Sequence, residues 1–311
     1  IPLLSGDTTV YYITSDSTVS AGDGNLHYFL HNKNIHERNV VIPETVEYKG
    51  KTYRVTSLAG GAFRQDSITS VVLPKSVEEI AGFAFSQSTI ENISPLYCQK
   101  MDRDVFRDCH YLKNVDMSRC TIDTLPPVTF HSNEALEWVK LPKTLVCSGD
   151  GLGQAMSSNF LYKLKSLKFV LLPSSMRDYY IFTESFYAGS SNYPTILLSQ
   201  VPPYTWSHFG IRYRKVWFPC EYDSAYRAST WGTGFGYVES YHFLNLDSGY
   251  MDLDSVCPWE VERKYGFHPD TVGVYIVEKH NPNDCDSFNI YFVKSFLDPG
   301  EIYDTTINID P

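Results

Sequence analysis

An apolar triplet recurs along this chain at intervals of about 22 residues, and no other feature limits the possible folds so severely. In ITSVVLPKSVEEIAGFAF, apolar residues fall at Ile68, Val71 and Leu73, the last two alternating as in a strand. The spacing returns at Ile90, Ile93 and Pro95, at Leu112, Val115 and Met117, at Leu136, Val139 and Leu141, and at Leu167, Val170 and Leu172. Weaker copies stand at Tyr193, Ile196 and Leu198 and at Tyr213, Val216 and Phe218, with a half-copy upstream at Val40 and Ile42. One copy cannot bury its own apolar face. Stacked copies can, each adding a strand to a continuous parallel sheet whose neighbours lie about 4.8 Å apart.

Two further marks keep step with the triplet. An aromatic residue follows a small or β-branched one at Ala62-Phe63, Ala84-Phe85, Val105-Phe106 and Thr129-Phe130, and more loosely Phe160, Phe186 and Trp206 take the same place. These side chains are expected inside each coil. Pro43, Pro74, Pro142, Pro173 and Pro219 directly follow a strand. Proline lacks the N–H that a central ladder needs, so each marks a corner where the chain leaves the sheet.

The ends of such a stack need covers. VYYITSD and LHYFLHN read as strands, and TVEYKGKTYRVTSL as a hairpin turning at Lys49-Gly50. Near the other end, FPCEYDSAYRASTWGTGF carries a short helical pattern at Tyr222, Ala225 and Tyr226 and then a glycine-rich stop. Beyond residue 243 the repeat is lost, and VGVYIVEKH, SFNIYFVKSF and IYDTTINID read as strands, the first two joined by a turn at NPND. The expected division is N-terminal capping strands over 1–39, repeats with a terminal cap over 40–243, and a small β module over 244–311.

Composition excludes several functions. The net charge is −10, with no basic block, so the footprint that holds a phosphate backbone is missing and nucleic acid is not an expected partner. Apolar runs such as FVLLP are strand-sized, well short of a membrane-spanning helix. The seven cysteines form no CxxC pair. The acidic stretches LDSGYMDLDS and HNPNDCDSF lack the spacing of a calcium loop and read as solvated turns. No nucleophile elbow, zinc-protease helix or phosphate-binding loop is present, and WGTGFG precedes no long helix. No metal, cofactor or catalytic residue is therefore expected, and an enzyme confined to 244–311 is the least favoured alternative.

The run VVIPETV, KTYRVTSLAGGAF, ITSVVLPKSVEEIAGFAF resembles the BspA-like leucine-rich repeat family of bacterial surface and secreted proteins. Leu73-Pro74, Ser76-Val77, Ile80 and Ala84-Phe85 match the family unit position for position, while Ala81-Gly82 shifts its glycine by one. KVWFPCEYDSAYRASTWGTGF is similar to the family's closing unit. The resemblance spans residues 36 to 243, is strongest through Phe130, and leaves the final segment unmatched. It implies a β-rich leucine-rich-repeat solenoid with a parallel sheet on its concave face and short loops or helical turns elsewhere. It also implies export, to the cell surface, as an outer membrane lipoprotein or as a secreted protein, with peripheral or lipid-anchored membrane attachment only if a removed leader provides it. The implied role is binding or adhesion to a macromolecule, either a host extracellular protein or an envelope component, without catalysis. A carbohydrate ligand is the alternative, because aromatic rings stack on sugar faces.

On the concave face, the residues flanking each central Val or Ile point outward. The early coils present Ser70 and Val72, Asn92 and Ser94, Asn114 and Asp116; the later ones present Trp138, Lys140, Phe169, Leu171, Leu197 and Trp217. Those last six form the candidate binding patch, provided they are open. Two other readings stand: the C-terminal module covers them, or the phase is off by one. Cys98 and Cys120 hold equivalent places in neighbouring coils, within reach of a disulfide or stacked as small apolar thiols. Cys109, three after Phe106, suits a buried corner.

Overall fold

The computed structural model describes residues 10–22, 39–148, 164–179, 195–205, 215–234, 237–243, 250–282 and 284–297. Two compact units are present: Ile1–Trp217 with Ser224–Glu239, and Phe218–Asp223 with Ser240–Pro311. The expected strands LHYFLHN and IYDTTINID, the aromatics Phe160, Phe186 and Trp206, and the triplet members Tyr193 and Tyr213 lie outside the described residues.

In the first unit the triplets form a parallel front ladder. Asn39–Val41, Ser70–Val72 and Asn92–Ile93 pair in order, aligning Val40 with Val71 and Val71 with Ile93. Asn114–Asp116 pairs with Trp138–Lys140, aligning Val115 with Val139. Val170–Leu172, Thr195–Leu197 and Lys215–Pro219 continue the series. The inward members Ile68, Val71, Ile90, Leu112, Val115 and Leu136 are all buried. Pro74 and Pro142 sit at the turns that follow, as expected of residues with no N–H to give.

A second parallel ladder runs beside the first, and the sequence reading did not find it. It joins Lys51–Leu58, Glu79–Ile80 and Lys100–Met101, then Thr124–Leu125, Cys147–Ser148, Asp178–Tyr179 and Tyr204–Thr205. Beyond its first member these strands are two residues long, too short to show a period.

The third side of each coil is a turn built around phenylalanine. Phe63, Phe85, Phe106 and Phe130 stack face to face, with successive centroids 5.3, 5.2 and 5.7 Å apart and rings within 8° of parallel. All four are fully buried. The backbone repeats with them: the amides of Phe63, Phe85 and Phe106 donate to the carbonyls of Ala84, Val105 and Thr129 at 2.7, 2.9 and 3.1 Å. Two residues before each ring the chain enters the left-handed region, at Gly61, Phe83, Asp104 and Val128, and two residues after it does so again, at Gln65, Gln87, Asp108 and Ser132. Only the first of these eight is glycine. Asp104 is tolerated there because its buried carboxylate accepts from Arg103 Nε at 2.6 Å and Arg107 Nη1 at 3.3 Å. Val128, a β-branched residue, has no such compensation from its own side chain.

Three residues after each ring stands a buried polar or thiol group: Asp66, Ser88, Cys109 and Asn133. They satisfy the corner from within. Asn133 Oδ1 accepts the Cys109 amide at 2.9 Å, and the Cys109 thiol reaches the Phe85 carbonyl at 3.0 Å.

Short elements flank the repeats on either side. Thr45–Tyr48 and Lys51–Leu58 form the hairpin, with Lys49 and Gly50 at φ 52° and 74°, the mirror-image turn that matches strand twist. Tyr11–Ile13 pairs antiparallel with Thr18–Ala21, which continues onto Lys51–Leu58. At the other end Asp223–Ala228 and Thr230–Gly234 are short helices. Their buried Tyr226 and Trp231 donate to the carbonyls of Ser199 and Pro203 at 2.7 and 2.6 Å, anchoring the cap to the last coil.

The second unit is not purely β. Asp286–Val293 is its central strand, antiparallel to Gly273–Lys279 on one side and parallel to Tyr237–Phe243 and Met251–Leu253 on the other. A helix over Pro258–Tyr265 packs Val261 against Leu253, Tyr291 and Val293, and Gly266 ends it in the left-handed region. Cys220 and Cys285 form a disulfide that ties Phe218–Asp223 to the hairpin of this unit.

Replacing Phe85 by Ala removes the middle of the ring stack and is expected to cost about 3–5 kcal/mol in urea unfolding. Val128→Gly, which relieves left-handed strain without removing a core ring, is expected to gain about 1 kcal/mol. Equal effects of the same sign would contradict this description of the turn.

Candidate functional site

Strand alternation sends the flanking residues of the front ladder outward, and in the early coils they meet solvent. Asn39, Val41, Val72 and Asn92 are exposed, and Ser70, Ser94, Asn114 and Asp116 are half-buried. Register aligns them in two rows. Asn39, Ser70 and Asn92 lead to Asn114 and then Trp138; Val41 lies beside Val72, and Asp116 beside Lys140.

Some of these groups are already engaged. Ser70 Oγ donates to Asn39 Oδ1 at 2.7 Å, Ser94 Oγ accepts the Leu73 amide at 2.9 Å, and Asp116 Oδ1 accepts both the amide and the hydroxyl of Ser118. Lys113 on this ladder pairs with Glu91 across the coil boundary at 2.8 Å. The polar row of Asn92 and Asn114 ends against the half-buried indole of Trp138, which carries Lys140 Nζ 5.7 Å from its ring centroid.

From Trp138 onward the face closes, which corrects the expected apolar patch. Phe169, Leu171, Leu197 and Trp217 are buried, none more than 8 % exposed, and Lys140 is only 2 % exposed with Nζ 3.9 Å from Asp116. Trp138 alone of the six keeps partial contact with solvent. Apolar side chains of this size are shielded rather than displayed, as the hydrophobic effect requires.

The six also do not share one side. Lys168 N–H donates to the Glu137 carbonyl at 2.9 Å, which aligns Phe169 with Trp138. The next pairing aligns Leu171 with Ile196 and Leu172 with Leu197, and the one after aligns Ile196 with Trp217. In-register neighbours share a face, so Ile196, not Leu197, stands beside Leu171. The one-residue slip escapes the sequence because this part of the sheet is buried on both faces: FVLL and TILL are apolar in either phase.

The cysteines were read in part. Cys98 and Cys120 meet as expected, their sulfurs 3.0 Å apart and both buried, as unbonded thiols. Cys109 is fully buried, and desolvation pushes its thiol up to about 12. The disulfide between Cys220 and Cys285 was missed, since 65 residues of intervening sequence carry no signal for it.

Residues 56–192 match the BspA type leucine-rich repeat region, in six copies. No curated protein matches the chain. Among solved structures, a leucine-rich repeat protein from Bacteroides ovatus ATCC 8483 is 18% identical, covering 81% of this chain and 64% of its own, with a TM-score of 0.42. A leucine-rich cell surface protein from Faecalibacterium prausnitzii A2-165 is 20% identical, covering 65% of this chain and 56% of its own, with a TM-score of 0.44. The chain thus spans less than two thirds of the length of either.

Asn92→Ala and Asn114→Ala are expected to change stability by no more than about 0.5 kcal/mol, whereas Phe169→Ser and Trp217→Ser each cost about 3 kcal/mol or more. Chemical denaturation of the four variants checks this. A mild effect of the two serine substitutions would return those side chains to the surface.

Proposed function

From a chain that is, over residues 56–192, a leucine-rich repeat protein of the BspA type, we propose that it is an exported, non-catalytic module that binds another protein outside the cell. In this reading the repeats stack as a solenoid, and the binding face is the open part of the front ladder. The observation that carries it is the two in-register pairs Ser70–Asn92 and Asn114–Trp138, brought next to one another by the Lys113 N–H to Glu91 carbonyl bond at 3.1 Å. Among the described residues the later flanking side chains Phe169, Leu171, Ile196 and Trp217 are buried, which favours this end for a partner that uses the sheet.

The chemistry suits a folded protein with polar and mildly apolar contacts. Asn92 and Asn114 offer amide donors and acceptors at strand spacing, exposed Val41 and Val72 add a small apolar step, and Trp138 supplies an aromatic edge of the kind that dominates interfaces. Export is supported by the Cys220–Cys285 disulfide, which forms and persists in oxidising compartments. A glycan is the second reading, favoured by the same indole beside two amides. An envelope component and a host protein are equally suited partners.

The test is a screen of the full chain against arrays of extracellular-matrix proteins and of glycans, repeated with Ser70→Arg/Asn92→Arg/Asn114→Arg. Binding to a protein that falls at least tenfold in the triple variant, with an unchanged melting temperature, is the expected result. Binding that survives the triple variant would move the site elsewhere. Binding confined to the glycan array would replace the first reading with the second.

A further inference from the structure

The repeat stack has a seam. The front ladder stops after Asn92–Ile93 and restarts at Asn114–Asp116, and the second ladder stops after Lys100–Met101 and restarts at Thr124–Leu125. Both interruptions fall between the same two coils. Among the described residues no other pair of adjacent coils loses both ladders: between Trp138–Lys140 and Val170–Leu172 only the front one breaks, while Cys147–Ser148 still pairs with Asp178–Tyr179.

The sequence accounts for the gap. Cys98 and Cys120 are 22 residues apart, but Phe106 and Phe130 are 24 apart, so two residues are added after Cys120. Pro126 and Pro127 then follow the short second strand and supply no N–H. The ring stack is widest at this interface, 5.7 Å against 5.2 and 5.3 Å. What remains across it, besides the turn amides of Phe106 and Asp108 on the carbonyls of Thr129 and His131, is a set of single hydrogen bonds, including Leu96 N–H to Asp116 at 2.8 Å, Lys113 N–H to Glu91 at 3.1 Å and Thr121 N–H to Cys98 at 3.1 Å.

The thiols of Cys98 and Cys120 lie across this seam with sulfurs 3.0 Å apart. A disulfide needs them about 1 Å closer, within the adjustment of two side chains. We infer that Cys98 and Cys120 are a thiol–disulfide modification site, closed in the exported protein to staple the two coils where both ladders break. The inference rests on the exported location proposed above, and the Cys220–Cys285 bond gives its compartment an oxidant of the same class.

The oxidant is a low-molecular-weight or protein disulfide, which reaches the two buried thiols when the seam opens locally. One thiolate attacks a sulfur of it, forming a mixed disulfide and releasing one thiol. The second thiolate then displaces the other half of the oxidant, so that the Cys98–Cys120 bond forms. Two electrons and two protons pass to the oxidant, which leaves as two thiols. Contact with Cys120 holds the Cys98 thiol below its ordinary range, which favours it as the first nucleophile. Cys109 does not compete: it is engaged by the Phe85 carbonyl in another corner, and burial keeps it protonated.

In a quasi-one-dimensional stack, the weakest interface sets how far the two halves act together. Closing the bond ties the coil bearing Asn92 to the coil bearing Asn114, so the proposed binding row is held more rigidly when the staple is shut.

The full chain, exported to an oxidising bacterial periplasm, is alkylated under denaturing conditions without reduction and mapped by mass spectrometry. A linked peptide pair containing Cys98 and Cys120 is expected, with Cys109 alkylated. The amides of Leu96, Lys113 and Thr121 are expected to exchange at least about tenfold more slowly than in Cys98→Val/Cys120→Val. The Cys220–Cys285 bond serves as the internal control. Molecules in which it is closed while Cys98 and Cys120 are both alkylated, even after oxidised glutathione is added to the purified protein, overturn the inference. If export itself fails, glutathione still joins the pair, which separates the two readings.

Discussion

The stack of four phenylalanine rings is the constraint on which the rest of the repeat region depends. Each ring contacts its neighbours, so no coil completes its core alone, and the amides of Phe63, Phe85 and Phe106 find their carbonyls on the next coil. This coupling fixes the vertical register. Once Phe63 lies over Phe85 and Phe85 over Phe106, the strands on the other sides of the coil are brought to one hydrogen-bonding distance, and their alternation decides which side chains face in. The backbone accepts strain to achieve this. Seven non-glycine residues around the rings hold left-handed conformations because the turn must reverse within a few residues.

The proposed function follows from where the outer face of the front ladder is left open. Its early strands present serine, asparagine and small valine side chains, and its later strands present Phe169, Leu171, Ile196 and Trp217, which are buried. Trp138 stands at the border between these regimes. In the proposed function a face divided in this way directs the partner to the polar end, where hydrogen bonds to amides outweigh apolar area. The seam between the coils of Asn92 and Asn114 crosses that end, so local stability and recognition are linked at one place.

Much of the fold was legible from the triplets and the Ala-Phe marks, because inward residues at every coil must be apolar and so leave a period. Ile68, Val71, Phe85 and Phe106 are where that period puts them. The second ladder was not legible, because strands such as Glu79–Ile80 contribute one inward residue each. The burial of the expected patch was not legible for a related reason. Outward residues carry no period of their own, and where both faces are buried the pattern cannot distinguish Leu197 from Ile196 as the neighbour of Leu171. The helix over Pro258–Tyr265 was passed over because it is short and half its residues are charged.

The account turns on coupling between rings in adjacent coils, and a double-mutant cycle measures it directly. Phe85→Leu and Phe106→Leu, singly and together, are expected to show a coupling energy of about 0.5–1.5 kcal/mol in urea unfolding. Phe63→Leu and Phe130→Leu, three coils apart, are expected to add within about 0.5 kcal/mol. Additivity for the Phe85 and Phe106 pair as well would contradict the claim that ring stacking holds the coils in register.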